Sequence, residues 1–92
     1  MTLRWTRTAV RDIESLHAYV AGGNPEAATV VINRVVTGIE RLLRHPDLGR
    51  NGRVPGTREL IVAPYIVAYR AKKTAIEILA VIHSARRWPD SF

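Results

Sequence analysis

The chain contains no cysteine, which excludes disulfides, thiolate metal sites and a cysteine nucleophile, so the fold must be held by packing alone. No apolar run approaches the ~20 residues needed to span a bilayer. The opening stretch Met1-Thr2-Leu3-Arg4-Trp5 lacks the charged segment and apolar core of a secretory signal. A cytoplasmic protein without membrane attachment is expected. Lysine is also scarce: of fourteen Lys and Arg only Lys72 and Lys73 are lysines, which leaves twelve arginines. Acidic residues number eight, giving a net charge of +6 and a pI near 10.8. That balance favours acidic or polyanionic partners. The planar arginine fork suits carboxylates and phosphates, although an arginine-rich proteome explains the ratio equally well.

Histidines occur only at positions 17, 45 and 83, too far apart in sequence for a recognisable ligand spacing. No metal and no cofactor is therefore expected. Gly49-Arg50-Asn51-Gly52 lacks the lysine and the strand-to-helix setting of a phosphate-cradling loop, which sets nucleotide hydrolysis aside.

What is present reads as one domain over residues 1–92. A chain of this size buries about 60–70% of the surface its unfolded form exposes, so modest stability is expected. With 47% hydrophobic and 24% charged residues, the composition is that of a globular protein. Residues 2–5 suit a short strand. Thr6 or Thr8 can then cap a helix carrying Ala9, Ile13, Leu16 and Val20 at helical spacing, with Gly22-Gly23 ending it. Asn24-Pro25-Glu26 restarts a helix through a capping side chain, a proline that needs no amide, and an acid at the positive helix end. Ala28, Val31, Val35, Ile39 and Leu42 form its apolar stripe, and it should stop near His45-Pro46. Gly38 inside this helix costs roughly 1 kcal/mol relative to Ala, so either a close helix–helix contact, the preferred reading, offsets that cost or the helix is locally weak.

Residues 47–57 carry three glycines, a proline and two arginines and read as a loop. Segments 58–62, 65–71 and 75–82 are rich in β-branched and aromatic residues, with Pro64 and Lys72-Lys73-Thr74 at the turns. The fold class is thus α+β: an antiparallel two-helix hairpin packed on a small, mainly antiparallel sheet made of a short N-terminal strand and a three-stranded meander.

The last apolar strand runs directly into His83-Ser84-Ala85-Arg86-Arg87-Trp88. A titratable ring, two cations and an indole are costly to bury, so this junction is the first candidate site. Metal-free RNA cleavage needs a base, an acid and cations around the phosphorus. His83 could serve with Arg58, Arg70, Arg86 and Arg87 if the strands cluster them, or it could simply be a strand-end histidine bonded to backbone. Arg50 and Arg53 offer a second basic group in the loop, suited to phosphate or an acidic protein or else merely solvated. Trp5, Tyr65 and Tyr69 fall within strand patterns and read as core. Trp88 and Phe92 have no evident core slot and suggest a docking patch.

The order of elements, together with Ala9-Val10-Arg11-Asp12-Ile13, Gly49-Arg50, Arg58-Glu59-Leu60, Tyr65-Ile66-Val67-Ala68-Tyr69-Arg70 and the strand ending in His83-Ser84-Ala85-Arg86, resembles the RelE/ParE superfamily of toxins from type II toxin–antitoxin modules, over nearly the whole chain. RelE-like members cleave messenger RNA in the ribosome, whereas ParE-like members poison DNA gyrase. The ribonuclease branch typically has arginine directly after the first tyrosine of the Tyr65 motif, where this chain has Ile66. It also carries basic residues soon after the last strand and a terminal tyrosine, where this chain has Ser84-Ala85 and then Trp88 and Phe92. His-x-x-Arg followed by Trp-Pro looks like the ParE-type, plasmid-stabilisation members.

The resemblance therefore implies a gyrase-binding toxin with no covalent chemistry of its own and no direct sequence-specific DNA binding. The alternative is a metal-independent ribonuclease using His83, Arg58 and Arg86. Target or antitoxin contacts would fall among Arg50, Arg53, Arg58, Arg70, His83, Arg86, Arg87 and Trp88. The implied partners are gyrase and a cognate antitoxin with an acidic, partly disordered tail, forming a toxin–antitoxin hetero-oligomer.

Overall fold

A computed structural model describes residues 1–92. Strand β1 spans Thr2–Trp5, helix α1 Arg7–Gly23, helix α2 Pro25–Arg41, and strands β2 to β5 span Arg50–Asn51, Arg58–Val62, Tyr65–Ala71 and Ala75–His83. The strands form one sheet in the order β1-β5-β4-β3-β2. Strand β1 lies parallel to β5, while β5, β4, β3 and β2 pair antiparallel in succession. The expected α+β architecture is present, with one further strand. Residues 50–51 pair with Arg58 and Glu59, although their own sequence carries no strand pattern.

Thr6 is the N-cap of α1, its hydroxyl accepting from the Ala9 amide at 3.1 Å. Gly22 and Gly23 do not break the helix, because both still lie inside it. The break is Asn24, whose extended backbone caps the end of α1. Its amide donates to Val20 O at 2.9 Å, while its side chain accepts from the Glu26 and Ala27 amides at 3.1 Å each. One residue thus ends a helix and starts the next. Helix α2 stops at Arg41, a turn before Pro46, as the backbone tightens into three-residue bonds from Leu42, Leu43 and Arg44 to Ile39, Glu40 and Arg41.

Both helices cover one face of the sheet. Ala9 and Leu16 of α1, Val35 and Ile39 of α2, and the adjoining Leu42 pack on Leu60, Val67, Tyr69, Ile76, Ile78 and Val81, with Ile13, Val20 and Val31 alongside. Burying each of the Leu, Ile and Val side chains among them contributes roughly 1.5–3 kcal/mol. Gly38 makes its close approach to the sheet and not to α1: a Cβ there would lie 3.1 Å from Val62 Cγ2 and 3.5 Å from Leu60 Cδ2. The opposite face carries a second, smaller cluster of Ala68, Leu79, Ala80 and Ile82, on which Trp88 packs. No helix is long and apolar enough to cross a membrane.

Candidate functional site

The register of β5 decides where its terminal histidine points. Ala80 pairs with Ala68 and Ile78 with Tyr69, so Leu79 is an extra residue bulged out of the ladder. A bulge re-aims everything beyond it. Ile76 and Ile78 face the helices, but past the bulge Val81 takes over that face, while Leu79, Ala80 and Ile82 belong to the outer one. His83 therefore lies opposite Tyr65 with their rings edge to face at 5.4 Å, beside α1. The bulge is held by Thr6, whose amide donates to Ile78 O at 3.1 Å and whose hydroxyl faces Ile78 O at 2.9 Å and Leu79 O at 3.1 Å. The helix cap and the strand irregularity are one construction.

His83, Tyr65, Val81 and Arg86 line a cavity of about 590 Å³ with Asp12, Ser15, Leu16 and Tyr19 from α1. Asp12 Oδ2 accepts from the Val81 amide at 2.9 Å. Burial raises the Asp12 pKa, opposed by that hydrogen bond and by the charge of Arg86. His83 Nδ1 accepts from the Ala85 amide at 3.0 Å, which leaves Nε2 as the nitrogen able to meet a ligand. The turn that follows is pinned to the β3–β4 connection, because the Ser84 amide donates to Pro64 O at 2.8 Å. An acid, a histidine and a cation thus share one cavity, and Asp12 is the member that sequence reading passed over. Its only sequence signal is its place within the Ala9–Ile13 motif.

The arginines expected beside His83 divide. Arg86 lines its cavity, but Arg58 and Arg70 do not, because the register pairs Arg58 with Tyr69 and Arg70 with Glu77, several rungs from the His83–Tyr65 row. Arg58 Nη1 donates to Gly49 O at 2.8 Å. Arg70 forms an ion pair with Glu77 at 3.5 Å. Arg87 lies exposed over the outer face, where it lines another cavity with Trp88 and Phe92.

Arg50 and Arg53 are not a free, solvated pair. Both meet Glu59, whose side chain is 1% exposed: Arg50 Nη2 reaches Oε1 at 3.0 Å, Arg53 Nε lies 3.4 Å from Oε2, and the Arg53 amide donates to Oε2 at 2.7 Å. Burial alone would push the Glu59 carboxyl up. The Arg53 amide, the Arg50 hydrogen bond and the two positive charges outweigh it and hold the pKa below its usual value. Glu59 was legible as one acid in a β-branched run and as the middle of the Arg58–Leu60 motif, neither of which signals a buried ion-pair centre.

Trp88 also has a slot that its sequence position did not reveal. It packs on the outer cluster with the Arg53 guanidinium 4.1 Å from its ring centroid and with Phe92 edge to face at 6.3 Å. Its indole Nε1 is buried without a hydrogen-bond partner.

Comparison with known proteins agrees with this architecture. Residues 3–88 match the model of the family described as ParE toxin of type II toxin–antitoxin system, parDE. The chain is 40% identical over 90 residues to Y4kP of Sinorhizobium fredii, a protein named as a toxin, across 96% of this chain and 93% of that one. Toxin RelE2 of Caulobacter vibrioides is 27% identical over 82 residues, covering 89% and 93%. Among solved structures, a chain of the chromosomal ParDE system from P. aeruginosa superposes with a TM-score of 0.79 at 31% identity, covering 90% of this chain and 95% of that one. A chain of the toxin–antitoxin complex RelBE2 from Mycobacterium tuberculosis gives 0.64 at 30% identity, covering 89% and 95%.

Proposed function

Because the chain belongs to the ParE toxin family of type II toxin–antitoxin systems, within the RelE/ParE superfamily, we propose that this toxin inhibits growth by binding and poisoning DNA gyrase until a cognate antitoxin neutralises it. The observation that carries this reading is the scatter of the cations. Stabilising charge on a phosphorus requires donors converging on one point, yet Arg58 and Arg70 sit several rungs from His83 in the sheet, and Ile66 occupies the position after Tyr65. If each missing group costs ~10²–10⁴ in rate, little nuclease activity survives. Binding is then the mechanism, with His83, Arg86, Arg87 and Trp88 as the recognition groups, in keeping with the preference of Arg and Trp for interface hot spots. The net charge of +6 suits an acidic antitoxin tail that folds as it binds, and the cost of ordering that tail keeps the complex releasable. The expected assembly is a toxin–antitoxin hetero-oligomer in the cytoplasm.

The test is induction without antitoxin, with DNA and protein synthesis pulse-labelled in the same culture. DNA synthesis falling first, with a DNA-damage response, supports gyrase. Translation collapsing first rejects it in favour of ribosome-dependent RNA cleavage. A specific feature favours that second reading, namely the shared cavity of Asp12, His83 and Arg86. On that reading His83→Ala abolishes cleavage in ribosomes programmed with message while antitoxin binding survives.

A further inference from the structure

Glu59 is a carboxylate that the binding mechanism above leaves unused. An isolated charge is costly to bury, and Glu59 avoids that cost only by its contacts to Arg50 and Arg53. The two guanidiniums remain half-exposed, at 56% and 47%, so the carboxylate is a buried base from which two surface cations are presented. One of them, Arg53, is fixed at both its amide and its Nε. Its guanidinium lies over the Trp88 ring, where the negative face of the indole attracts it. Trp88 in turn packs on Ala68, Leu79, Ala80 and Ile82 and belongs to the segment that carries Arg86 and Arg87. A continuous line of contacts therefore runs from a buried carboxylate in β3 to the residues after β5.

We propose that Glu59 is a positioning residue for target recognition: by holding Arg53 over Trp88 it seats residues 84–92 on the outer sheet face and joins them to residues 50–53 as one recognition surface. This rests on the reading in which Arg86, Arg87 and Trp88 contact the target. It goes beyond that reading in making a buried acid, which cannot itself touch a partner, necessary for recognition.

The indole of Trp88 supplies the probe, because its buried Nε1–H exchanges with solvent only when the segment lifts, at a rate that follows the opening equilibrium. Exchange is measured by NMR on the whole chain in Arg53→Ala, Glu59→Gln and the double variant, with the Val67 amide in the core as the control for global opening. Loss of an exposed cation–π contact should speed indole exchange roughly two- to five-fold without changing Val67. Glu59→Gln should do the same, and should add nothing once Arg53 is alanine. Growth inhibition by Glu59→Gln should fall in parallel.

Unchanged indole exchange in Arg53→Ala, a protein that keeps its buried groups, overturns the proposal. So does a Glu59→Gln effect that persists in full without Arg53. Faster exchange with undiminished growth inhibition overturns the role in recognition. Failure of the gyrase reading shows elsewhere, in the order in which the unmutated toxin stops DNA and protein synthesis.

Discussion

Tyr69→Phe tests the account of how the loop after α2 is held. The Tyr69 side chain is 0% exposed, yet its hydroxyl is fully used: it accepts from the Gly49 amide at 2.9 Å and donates to Pro46 O at 2.8 Å. Burial raises its pKa against the opposing Gly49 hydrogen bond and Arg58 charge, and a phenol is in any case protonated near neutral pH and able to donate. Removing the oxygen deletes two hydrogen bonds, each contributing a net ~0.5–1.5 kcal/mol, and strands the buried Gly49 N–H, a group that costs ~1–3 kcal/mol when unsatisfied. These terms overlap, so the expected loss is about 2–4 kcal/mol.

Against the ~5–15 kcal/mol typical of folded proteins, that is a large fraction. At ~2 kcal/mol per molar of urea, the middle of the range for small proteins, the unfolding midpoint should fall by about 1–2 M with an unchanged slope, measured by far-ultraviolet circular dichroism. A loss below about 1 kcal/mol would refute the reasoning. Gly49→Ala strains the same contact from the other side, since its Cβ would lie 2.7 Å from both Tyr69 Cε1 and the hydroxyl and 2.9 Å from Glu59 O. Phenylalanine relieves only the hydroxyl clash, so the double variant should be no more stable than Gly49→Ala alone.

Gly22→Ala should raise stability by about 0.5–1 kcal/mol, because the residue is inside α1 and a Cβ there meets nothing within 4 Å; a fall in the urea midpoint would contradict its helical placement. At Asp12, burial raises the pKa above 3.8, so the folded state binds the proton more tightly than the unfolded one. Its contribution is full below pH 3.8 and is lost as pH climbs through the folded value. Asp12→Asn should thus equal or exceed the unmutated protein in stability at pH 7 while still accepting from Val81. Asp12→Ala, which orphans that amide, should lose about 1–3 kcal/mol. Equal stability of the two variants would show that the Val81 bond contributes nothing.

The elements legible in the sequence are those whose signal is local. The spacing of Ala9, Ile13, Leu16 and Val20 predicts a helix face that does pack in the core, and the β-branched runs give β3, β4 and β5 to within one residue of their ends. Where tertiary contacts decide, local signals mislead. Gly22-Gly23 reads as a break, but the Asn24 amide still donates to Val20 O, so helix runs to the residue before it, and the side chain of the same asparagine starts α2. Gly38 reads as a helix–helix contact, but hairpin and sheet compete for the same small residue, and the β3 side chains occupy the space. Strand β2 exists only because residues 58–59 offer it an edge.

The site was harder to read for a reason that one residue makes concrete. Side chains alternate along a strand, so a shift of one position moves every later residue to the other face. Strict alternation from Ile76 would send His83 to the outer face with Trp88. The bulge at Leu79 reverses this and places His83 with Asp12 and Tyr65 instead, and nothing in Ile78-Leu79-Ala80 marks it. What holds the bulge is Thr6, more than seventy positions away. The same alternation puts Glu59 on the face that Trp88 covers, although Arg58 beside it serves the loop on the helix side. Two residues adjacent in one motif thus belong to different surfaces, and the identity of a recognition group here follows from which face its strand turns outward more than from its chemical type.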